Sequence, residues 1–413
     1  MLIAIFILLT LIIVGFPIYM ALLLSGMYVL VIMYGLPLDM VITSMFDGCG
    51  KFSLTAVPFF LLAGCLMEKG SIASRLVDSL SPWLVRVRGG ITITAVAANE
   101  VFGAMSGSAP AAAGTIGKAM FPAVSKKNGA DFALGLFASC GALAIIMPPS
   151  INMIIFATAV SCSIGDLFKA GVIPALLIGV LLSIYIVTKS KPPADEDRFN
   201  LKYALKMVWK GIPALILPFV VLGGIYGGLF TPTEAGAISA GYVFLVSVFV
   251  LKEFNVKMVW DSLKETTRLT GQIFILIAAS TVFSQALTIA QIPAYLTGIL
   301  DGVSPVVFLL ILNVVLLIVG CFFDPTSAVL ILAPIVAPIA ANLGIGIIHL
   351  GIVFVVNLAI GMFTPPFGLN LFVIQSIFKH PMERIAVAVA PFFVIYVIAL
   401  LILTFIPGLY TVF

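Results

Sequence analysis

The stretch GMFTPPFGLN, at 361–370, is matched earlier in the chain by IIMPPSIN, at 145–152. Each stretch carries a Pro-Pro pair within an apolar run and ends on asparagine, and Pro365 follows Pro148 by 217 positions. Proline removes a backbone donor and clashes with the preceding helical turn. Both stretches therefore predict an apolar helix that is interrupted at its Pro-Pro pair.

Two further matches at nearly the same spacing predict an internal repeat. GFPIYMALLLSGMYVLV aligns with LFTPTEAGAISAGYVFLV when Pro17 is placed on Pro232, 215 positions later. Between the two longer matches, Pro122 falls near Pro338. The two predicted halves are 1–207 and 208–413. The charged segment at 189–206, KSKPPADEDRFNLKYALK, is the predicted linker between them.

The composition predicts a membrane protein. Of 413 residues, 62% are apolar and only 9% are charged, which is too few to cover the surface of a soluble fold. Disorder is excluded, because its signature is low hydrophobicity with high charge. Apolar runs of at least about 18 residues recur along the chain, so we predict an all-α polytopic membrane protein. The net charge of +4 then reflects topology, and no nucleic-acid partner is expected.

Basic residues predict how the segments are oriented, because cytoplasmic loops are enriched in Lys and Arg. The linker is basic and is assigned to the cytoplasm. Segment 68–90 holds four basic residues and its repeat partner, about 284–304, holds none. Segment 252–268 also holds four, whereas 36–51 holds only Lys51. Equivalent segments thus fall on opposite sides, which is the signature of inverted-topology repeats in secondary transporters.

The resulting topology has about ten crossings and two re-entrant hairpins that enter from opposite sides. The first hairpin, near 90–125, has basic flanks and a tip at Ser106–Ser108, so it is placed on the cytoplasmic side. The second, near 304–341, has its tip at 322–328 and no basic flank, so it is placed on the outer side. Both termini are predicted outside. No cleavable signal peptide is expected, since the first residues lack a positive segment.

The two tips and the two helix breaks are the candidate sites. Non-helical backbone at membrane depth is tolerated only where it is buried in protein or lines a cavity. Free carbonyls with Ser, Thr or Asn oxygens suit a hard cation such as Na⁺, and helix N-termini favour an anionic group. The candidate cation-binding residues at these positions are Ser106, Gly107, Ser108, Pro148, Ser150, Asn152, Asp324, Pro325, Thr326, Thr364, Pro366, Gly368 and Asn370.

Three segments resemble a known family. GAMSGSAPAAAGTIGKAMFPAV, GGLFTPTEAGA and GMFTPPFGLNLFVI are similar to the large membrane subunit, DctM type, of tripartite ATP-independent periplasmic (TRAP) transporters. The resemblance covers nearly the whole chain. It implies Na⁺-driven uptake of an organic acid, such as a C4-dicarboxylate or sialic acid, across the bacterial inner membrane.

The resemblance also implies a mechanism and partners. It implies a scaffold and a transport domain that moves as an elevator, with no cofactor besides the coupling ion. The expected partners are a periplasmic substrate-binding protein, a small four-helix membrane subunit on a separate chain, and membrane lipid. The substrate is expected between the two tips, at Ser108, Ala109, Thr326, Ser327 and Asn370.

Three acidic residues have open roles. Glu100, beside Asn99 in the first hairpin, could relay a proton or cation or could be a structural acid. Asp324 could be a cation ligand or a helix cap, and the site role is preferred. Glu234 is predicted to cap a helix that Thr233 and Glu234 open.

The alternatives to this transporter are weaker. An enzyme is not expected: AAGTIGKA lacks the first Gly and the final Ser or Thr of a phosphate-binding loop, and Ser106 has no histidine in reach to act as a base. The five cysteines show no paired spacing and are expected as small buried hydrophobes. A stand-alone cation-coupled dicarboxylate or citrate symporter remains open, and so, less favoured, does an ion channel.

Overall fold

The computed structural model describes residues 2–192, 199–300 and 302–411, and within them it contains helices and turns and no strand. The middle of the predicted linker, 193–198, lies outside the described residues. The helices of the first half are α1 (Leu2–Ile13), α2 (Ile18–Met27), α3 (Leu38–Cys49), α4 (Ala56–Lys69), α5 (Ile72–Leu84), α6 (Gly90–Ser106), α7 (Ala109–Asn128), α8 (Ala130–Cys140), α9 (Leu143–Ile146), α10 (Ile151–Val160) and α11 (Ile164–Lys189).

The second half begins with a long helix that follows the linker. Its helices are α12 (Leu201–Tyr226), α13 (Pro232–Leu245), α14 (Val256–Ile289), α15 (Ile292–Ile299), α16 (Pro305–Phe322), α17 (Pro325–Asn342), α18 (Ile347–Gly361), α19 (Leu369–Phe378), α20 (Met382–Ala388) and α21 (Ala390–Phe405). Each half also contains a π-helical turn, at Tyr28–Met33 and Val246–Val250.

The described helices fit a polytopic membrane protein, as predicted. Seven of them are long and apolar enough to span a membrane, or up to nine if each bent pair counts as one span. Apolar side chains also point outwards from several of these helices; Phe219 and Ile318, for example, are 77% and 57% exposed. A lipid environment accounts for such exposure, because lipid replaces water around these faces. The count of ten crossings and the opposed halves remain predictions.

Both hairpin turns lie where the sequence places them. The first hairpin consists of α6 and α7, and Gly107 between them has φ +60°, a left-handed conformation that glycine adopts without a steric penalty. Ser108 then caps α7 by accepting a bond from the Ala111 amide at 3.4 Å. The second hairpin consists of α16 and α17, and its turn is extended at Phe323 and Asp324. The two tips thus connect their helices by different local conformations, and the re-entrant course of the hairpins remains a prediction.

Both Pro-Pro pairs interrupt a helix. The segment from α8 to α9 is bent by 43° relative to α10, and the bend lies between Ile146 and Ile151. In the second half, α18 ends at Gly361 and α19 starts at Leu369, so seven residues separate the two helices. The predicted breaks at both pairs are therefore present.

Three segments that were expected as loops contain helices instead. Segment 68–90 contains α5, which buries Ile72, Ala73 and Leu76 on one face while Arg75 lies on another. This helix packs on α12, where Ser79 donates to the Met207 carbonyl at 3.1 Å. Segment 36–51 contains α3, and most of segment 252–268 is the start of α14. Charges on one face of an amphipathic helix have the composition of a loop, and the apolar residues at helical spacing on the other face distinguish the two.

Candidate functional site

The first tip packs against the first break. A β-carbon placed on Gly107 would lie 3.3 Å from Ile151 Cγ1 and 3.5 Å from the Pro149 carbonyl oxygen. Just before the tip, a β-carbon on Gly103 would lie 2.5 Å from Ala144 Cα. The small residues of α6 therefore allow the broken helix to approach the hairpin closely. Tip and break within the first half form one structural unit.

The second tip packs against the second break in a similar way. The Phe367 amide donates to the Cys321 carbonyl, at the end of α16, at 3.2 Å. Gly320 and Gly361 cross so closely that a β-carbon on Gly361 would overlap the Gly320 backbone. Within the break, the Asn370 amide donates to the Met362 carbonyl at 2.9 Å. These bonds provide partners for some of the backbone amides and carbonyls that have no helical partner because Pro365 and Pro366 interrupt the helix.

The two units are joined across the halves. Thr326 Oγ1, in the first turn of α17, donates to Asn152 Oδ1, in the first turn of α10, at 3.2 Å. Asn370 Nδ2, in the first turn of α19, donates to the Ala138 carbonyl of α8 at 2.8 Å. Further along, α19 lies against α7, where Phe378 stacks on Phe121 with ring centroids 4.0 Å apart. The helix that follows each break thus packs on the helix that follows the other half's tip.

These contacts bring helix N-termini together. α10 approaches the N-terminus of α7 through Ile151 and Gly107, and it approaches that of α17 through Asn152 and Thr326. Each helix N-terminus carries a partial positive charge and unpaired amides. A small anion placed among these ends would therefore be stabilised, as the candidate residues predict.

Asn370 differs from its neighbours at the site. It is fully buried, and its side-chain oxygen Oδ1 has no hydrogen-bond partner among the described residues. A buried acceptor without a partner costs about 1–3 kcal/mol. An amide oxygen held in place through its own Nδ2 bond is a suitable ligand for a hard cation. This orphaned oxygen is the feature of the site that best fits a bound ion.

Three candidate side chains act as helix caps. Ser108 and Ser150 accept bonds from the amides of Ala111 and Met153, and Ser150 also donates to the Ile145 carbonyl at 2.6 Å. Asp324 accepts from the Ser327 amide at 3.0 Å, and its second oxygen accepts from the Ser327 hydroxyl. Both Asp324 oxygens are thus engaged in capping α17. Its role as a cation ligand, which we preferred, remains a prediction.

The remaining candidates are distributed around these contacts. Ser106 is buried, and its Oγ accepts from the Ser108 amide at 3.4 Å. Thr364 donates to the Ile360 carbonyl at 2.6 Å. Pro148 is buried in the first break, whereas Pro366 is exposed in the second. Gly368 is packed closely against the Met362 and Thr364 backbone, where a β-carbon would lie 2.8–2.9 Å from their atoms. Ala109 and Pro325, at the starts of α7 and α17, are buried.

The predicted roles of the other acidic residues have different outcomes. Glu234 forms a capping box with Thr231 at the start of α13, so its capping role is confirmed, and the helix begins at Pro232 rather than at Thr233. Glu100 lies against Gly179 of α11, and its Oε1 has no partner among the described residues. The described chain holds no group of three or more His, Cys, Asp or Glu residues that could bind a metal ion.

Sequence reasoning missed two polar features. Asn313, Asn357 and Thr404 form a buried network in which Asn357 donates to Asn313 at 2.8 Å and Asn313 to Thr404 at 3.1 Å. Lys51 lies between α3 and α4 and donates to the Thr158 carbonyl at 2.7 Å, and partial burial lowers the pKa of its amine. A lone lysine in a weakly charged segment was a signal that could have identified the second feature.

A helical membrane carrier is the class that this fold and these paired interruptions define. The family model described as "Tripartite ATP-independent periplasmic transporter, DctM component" matches residues 5–409. The chain belongs to this family, which confirms the resemblance that the sequence motifs predicted.

Curated relatives agree with this assignment. The C4-dicarboxylate TRAP transporter large permease protein DctM of Pseudomonas aeruginosa is 40% identical, over 88% of this chain and 86% of that protein. The ectoine/5-hydroxyectoine TRAP transporter large permease protein UehC of Ruegeria pomeroyi is 33% identical, over 92% of this chain and 91% of that protein. The isethionate TRAP transporter permease protein DctMQ of Oleidesulfovibrio alaskensis is 34% identical; the match covers 96% of this chain and 64% of that protein.

A solved structure shares the fold. The YdaH transporter of Alcanivorax borkumensis, whose structure is described as having an unusual topology, superposes with a TM-score of 0.63 over 90% of this chain and 88% of that one. Its sequence identity is 15%, so this likeness concerns the fold alone.

Proposed function

We propose that this chain is the membrane carrier subunit of a Na⁺-coupled system that takes up a small organic acid. Family membership supports a TRAP transporter subunit. The names of its relatives include C4-dicarboxylates, isethionate and ectoine, and a C4-dicarboxylate or related carboxylate is the proposed substrate class. The partners are a periplasmic binding protein that delivers the acid and a small membrane subunit. The complex lies in the bacterial inner membrane.

The proposed architecture is a pair of inverted repeats, 1–207 and 208–413. The recurrence of hairpin, broken helix and long helix in both halves supports it, with α6–α11 followed by α16–α21 in the same order. Two opposed halves allow the site to be reached from either side in turn. In the proposed elevator motion, the two hairpins and broken helices move as one body relative to the remaining helices. Both termini then lie on the periplasmic side.

The observation that carries the Na⁺ proposal is the orphaned Asn370 oxygen beside an interrupted helix. Na⁺ bound there would give this acceptor a partner. The ion would also complete the region in which helix N-termini receive the acid. Coupling requires that Na⁺ bind one state of the carrier more tightly than another, since equal affinity would drive nothing.

Thermal unfolding of the purified chain in NaCl, KCl and choline chloride at equal ionic strength tests the ion site. A ligand at 100 times its dissociation constant adds about 2.7 kcal/mol to the folded state. We expect a Na⁺-specific rise in the unfolding temperature that disappears in Asn370→Ala and weakens in Ser108→Ala.

Asn357→Ala is the matched control. Asn357 is also fully buried with an unpartnered Oδ1, but it lies in the regular part of α18. This variant should unfold at a lower temperature and keep the full Na⁺-specific rise. A wild-type response to Na⁺ in Asn370→Ala would contradict the ion assignment.

A further inference from the structure

Lys51 lies between two cavities, and it borders both of them. The inner cavity has a volume of about 120 Å³ and is lined by Lys51, Thr158, Ser280, Thr281, Ser284 and Leu330, among others. The outer recess has a volume of about 600 Å³ and includes Lys51, Ser53, Thr158, Ser161, Ser163 and Pro232. Lys51 and Thr158 are common to the two linings. A molecule that passes from the outer recess to the inner cavity would therefore pass beside the Lys51 amine.

The inner cavity lies next to the candidate site. It is lined by Ile155 of α10 and Leu330 of α17. These residues are about one helical turn beyond Asn152 and Thr326, which form the bond across the halves. With a rise of about 1.5 Å per residue, the cavity begins roughly 5–6 Å from that bond along both helices. The cavity thus lies about one helical turn from the candidate site.

Lys51 is the sole charged residue among the described residues that line the two cavities. Its ammonium group has three donors, and the bond to the Thr158 carbonyl uses one of them. Low-dielectric walls strengthen the field of a single charge and concentrate ions of opposite sign. The other polar groups in the inner cavity are hydroxyls of Thr158, Ser280, Thr281 and Ser284. The hydroxyls of Thr158, Ser280 and Thr281 donate to carbonyls of their own helices, so the Lys51 ammonium is the group in this lining that favours an anion over a cation.

We propose that Lys51 is the carboxylate-attracting residue on the outer route to the binding site, at the passage between the outer recess and the inner cavity. This inference rests on the proposed function and names the residue that first meets the acid. The amine attracts the carboxylate, and the acid then advances between α10 and α17 towards the helix N-termini. Lys51 is a specificity-determining residue that favours an anionic substrate over a cationic substrate of similar size.

A structural role for Lys51 makes a different prediction. The amine also binds a carbonyl in the last turn of α10, where a cation is favoured by the helix dipole. If that were its whole function, loss of the charge would change stability and leave the passage of ions unaffected. The test therefore measures the charge preference of the inner cavity itself.

The experiment uses Ser284→Cys, which places a thiol in the inner cavity. Right-side-out membrane vesicles holding the full chain are treated with the anionic ethylsulfonate and the cationic ethyltrimethylammonium methanethiosulfonate reagents. Modification of position 284 is followed by peptide mass spectrometry, so the five natural cysteines remain in place. We expect the ratio of anionic to cationic labelling rates to fall roughly tenfold when Lys51→Gln is added, because one charge acts on the two reagents in opposite directions.

Two control variants separate charge from folding. Lys51→Arg keeps the charge and should keep the labelling ratio within about twofold. Lys169→Gln makes the same change in α11, at a residue that lines neither cavity, and should leave the ratio unchanged. An unchanged ratio in Lys51→Gln, or an introduced thiol at position 284 that neither reagent reaches, would overturn the proposal.

Uptake measurements distinguish this proposal from the function on which it rests. In vesicles that also contain the partner proteins, Lys51→Gln should raise the KM for succinate several-fold while the maximal rate changes less. If the parent protein takes up no carboxylate, the proposed substrate class fails, but the labelling ratio still decides whether Lys51 selects anions. If uptake is present and both the ratio and KM are unchanged, the proposed function stands and the role of Lys51 is wrong.

Discussion

The two Pro-Pro breaks have similar sequences and different surroundings. In the first half, Pro148 and Pro149 are buried, and Asn152 is 7% exposed and bonded to Thr326. In the second half, Pro365 and Pro366 are exposed, while the Asn370 side chain is buried with an unpartnered oxygen. The Pro-Pro pair is thus buried in one half and exposed in the other. A carrier with opposed halves would show this asymmetry in any single state, and its other state would reverse it.

The sharpest test of this comparison is whether the halves have opposite orientations. Lys191 follows the last helix of the first half, and Thr411 follows the last long helix of the second. We expect Lys191→Cys to resist an impermeant thiol reagent in right-side-out vesicles and Thr411→Cys to react. The effect should be all or none. Reaction of both cysteines from the same side would remove the inverted repeat and the outer route proposed above.

Close packing in the second unit predicts the largest loss of stability. Gly361→Ala places a methyl group against the Gly320 backbone, and overpacking of this kind costs about 1–3 kcal/mol. The apparent unfolding temperature of the purified chain should fall accordingly. Gly223→Ala, in α12, is the matched control, because no atom lies within 4 Å of its new β-carbon. An equal fall in the unfolding temperature for the two substitutions would show that the contact between Gly320 and Gly361 does not require glycine at position 361.

The bond across the halves predicts a smaller effect. Thr326→Val removes the donor to Asn152 and should cost about 1 kcal/mol, since a buried acceptor loses its partner. The double variant with Asn152→Ala should lose less than the sum of the single variants. Thr364→Val is the control, because its hydroxyl donates to the nearby Ile360 carbonyl at the end of α18 and does not join the two halves. Additivity between Thr326 and Asn152 would indicate that the contact contributes nothing.

A surface contact between the halves predicts the smallest effect, and it depends on pH. Burial alone would raise the pKa of Glu253, but hydrogen bonds from Ser71 and the Arg75 guanidinium outweigh it and lower that pKa. The contact therefore stabilises the protein at neutral pH, and this contribution is lost as the pH falls below the usual glutamate value of about 4.5. Such pairs contribute about 1 kcal/mol or less. Glu253→Gln should reduce the dependence of the free energy of unfolding on pH below about 4.5. A pH dependence identical to that of the wild-type protein would contradict this prediction.

The sequence predicted the interruptions well, because their causes are local. The Pro-Pro pairs at 148–149 and 365–366 each remove two successive backbone donors, whereas single prolines such as Pro174 lie within continuous helices, and Gly107 permits the left-handed turn at the first tip. Glu234 was correctly identified as a cap for the same reason, although the helix begins at Pro232 rather than at Thr233. Features of this kind depend on only a few neighbouring residues, so the sequence is sufficient to predict them.

Contacts between distant segments could not be predicted. The bond from Thr326 to Asn152 joins residues 174 positions apart, and no local pattern indicates it. Asp324 caps α17, which is the alternative that the sequence offered beside the preferred role as a cation ligand. The role of Lys51 depends on cavities formed by α10, α14 and α17, which only the folded chain brings together.

The bond between Asn152 and Thr326 also has a consequence for biogenesis. Translation proceeds at about 5–20 residues per second, so the 174 residues between these partners take roughly 10 to 35 s to synthesise. During that interval the first broken helix would lie in the bilayer while the side-chain oxygen of Asn152 has no hydrogen-bond partner from Thr326. Lipid, a chaperone or the insertion machinery must cover that break until the second hairpin arrives. Pulse-labelled nascent chains truncated before and after residue 326 should therefore differ in their sensitivity to protease at the first break.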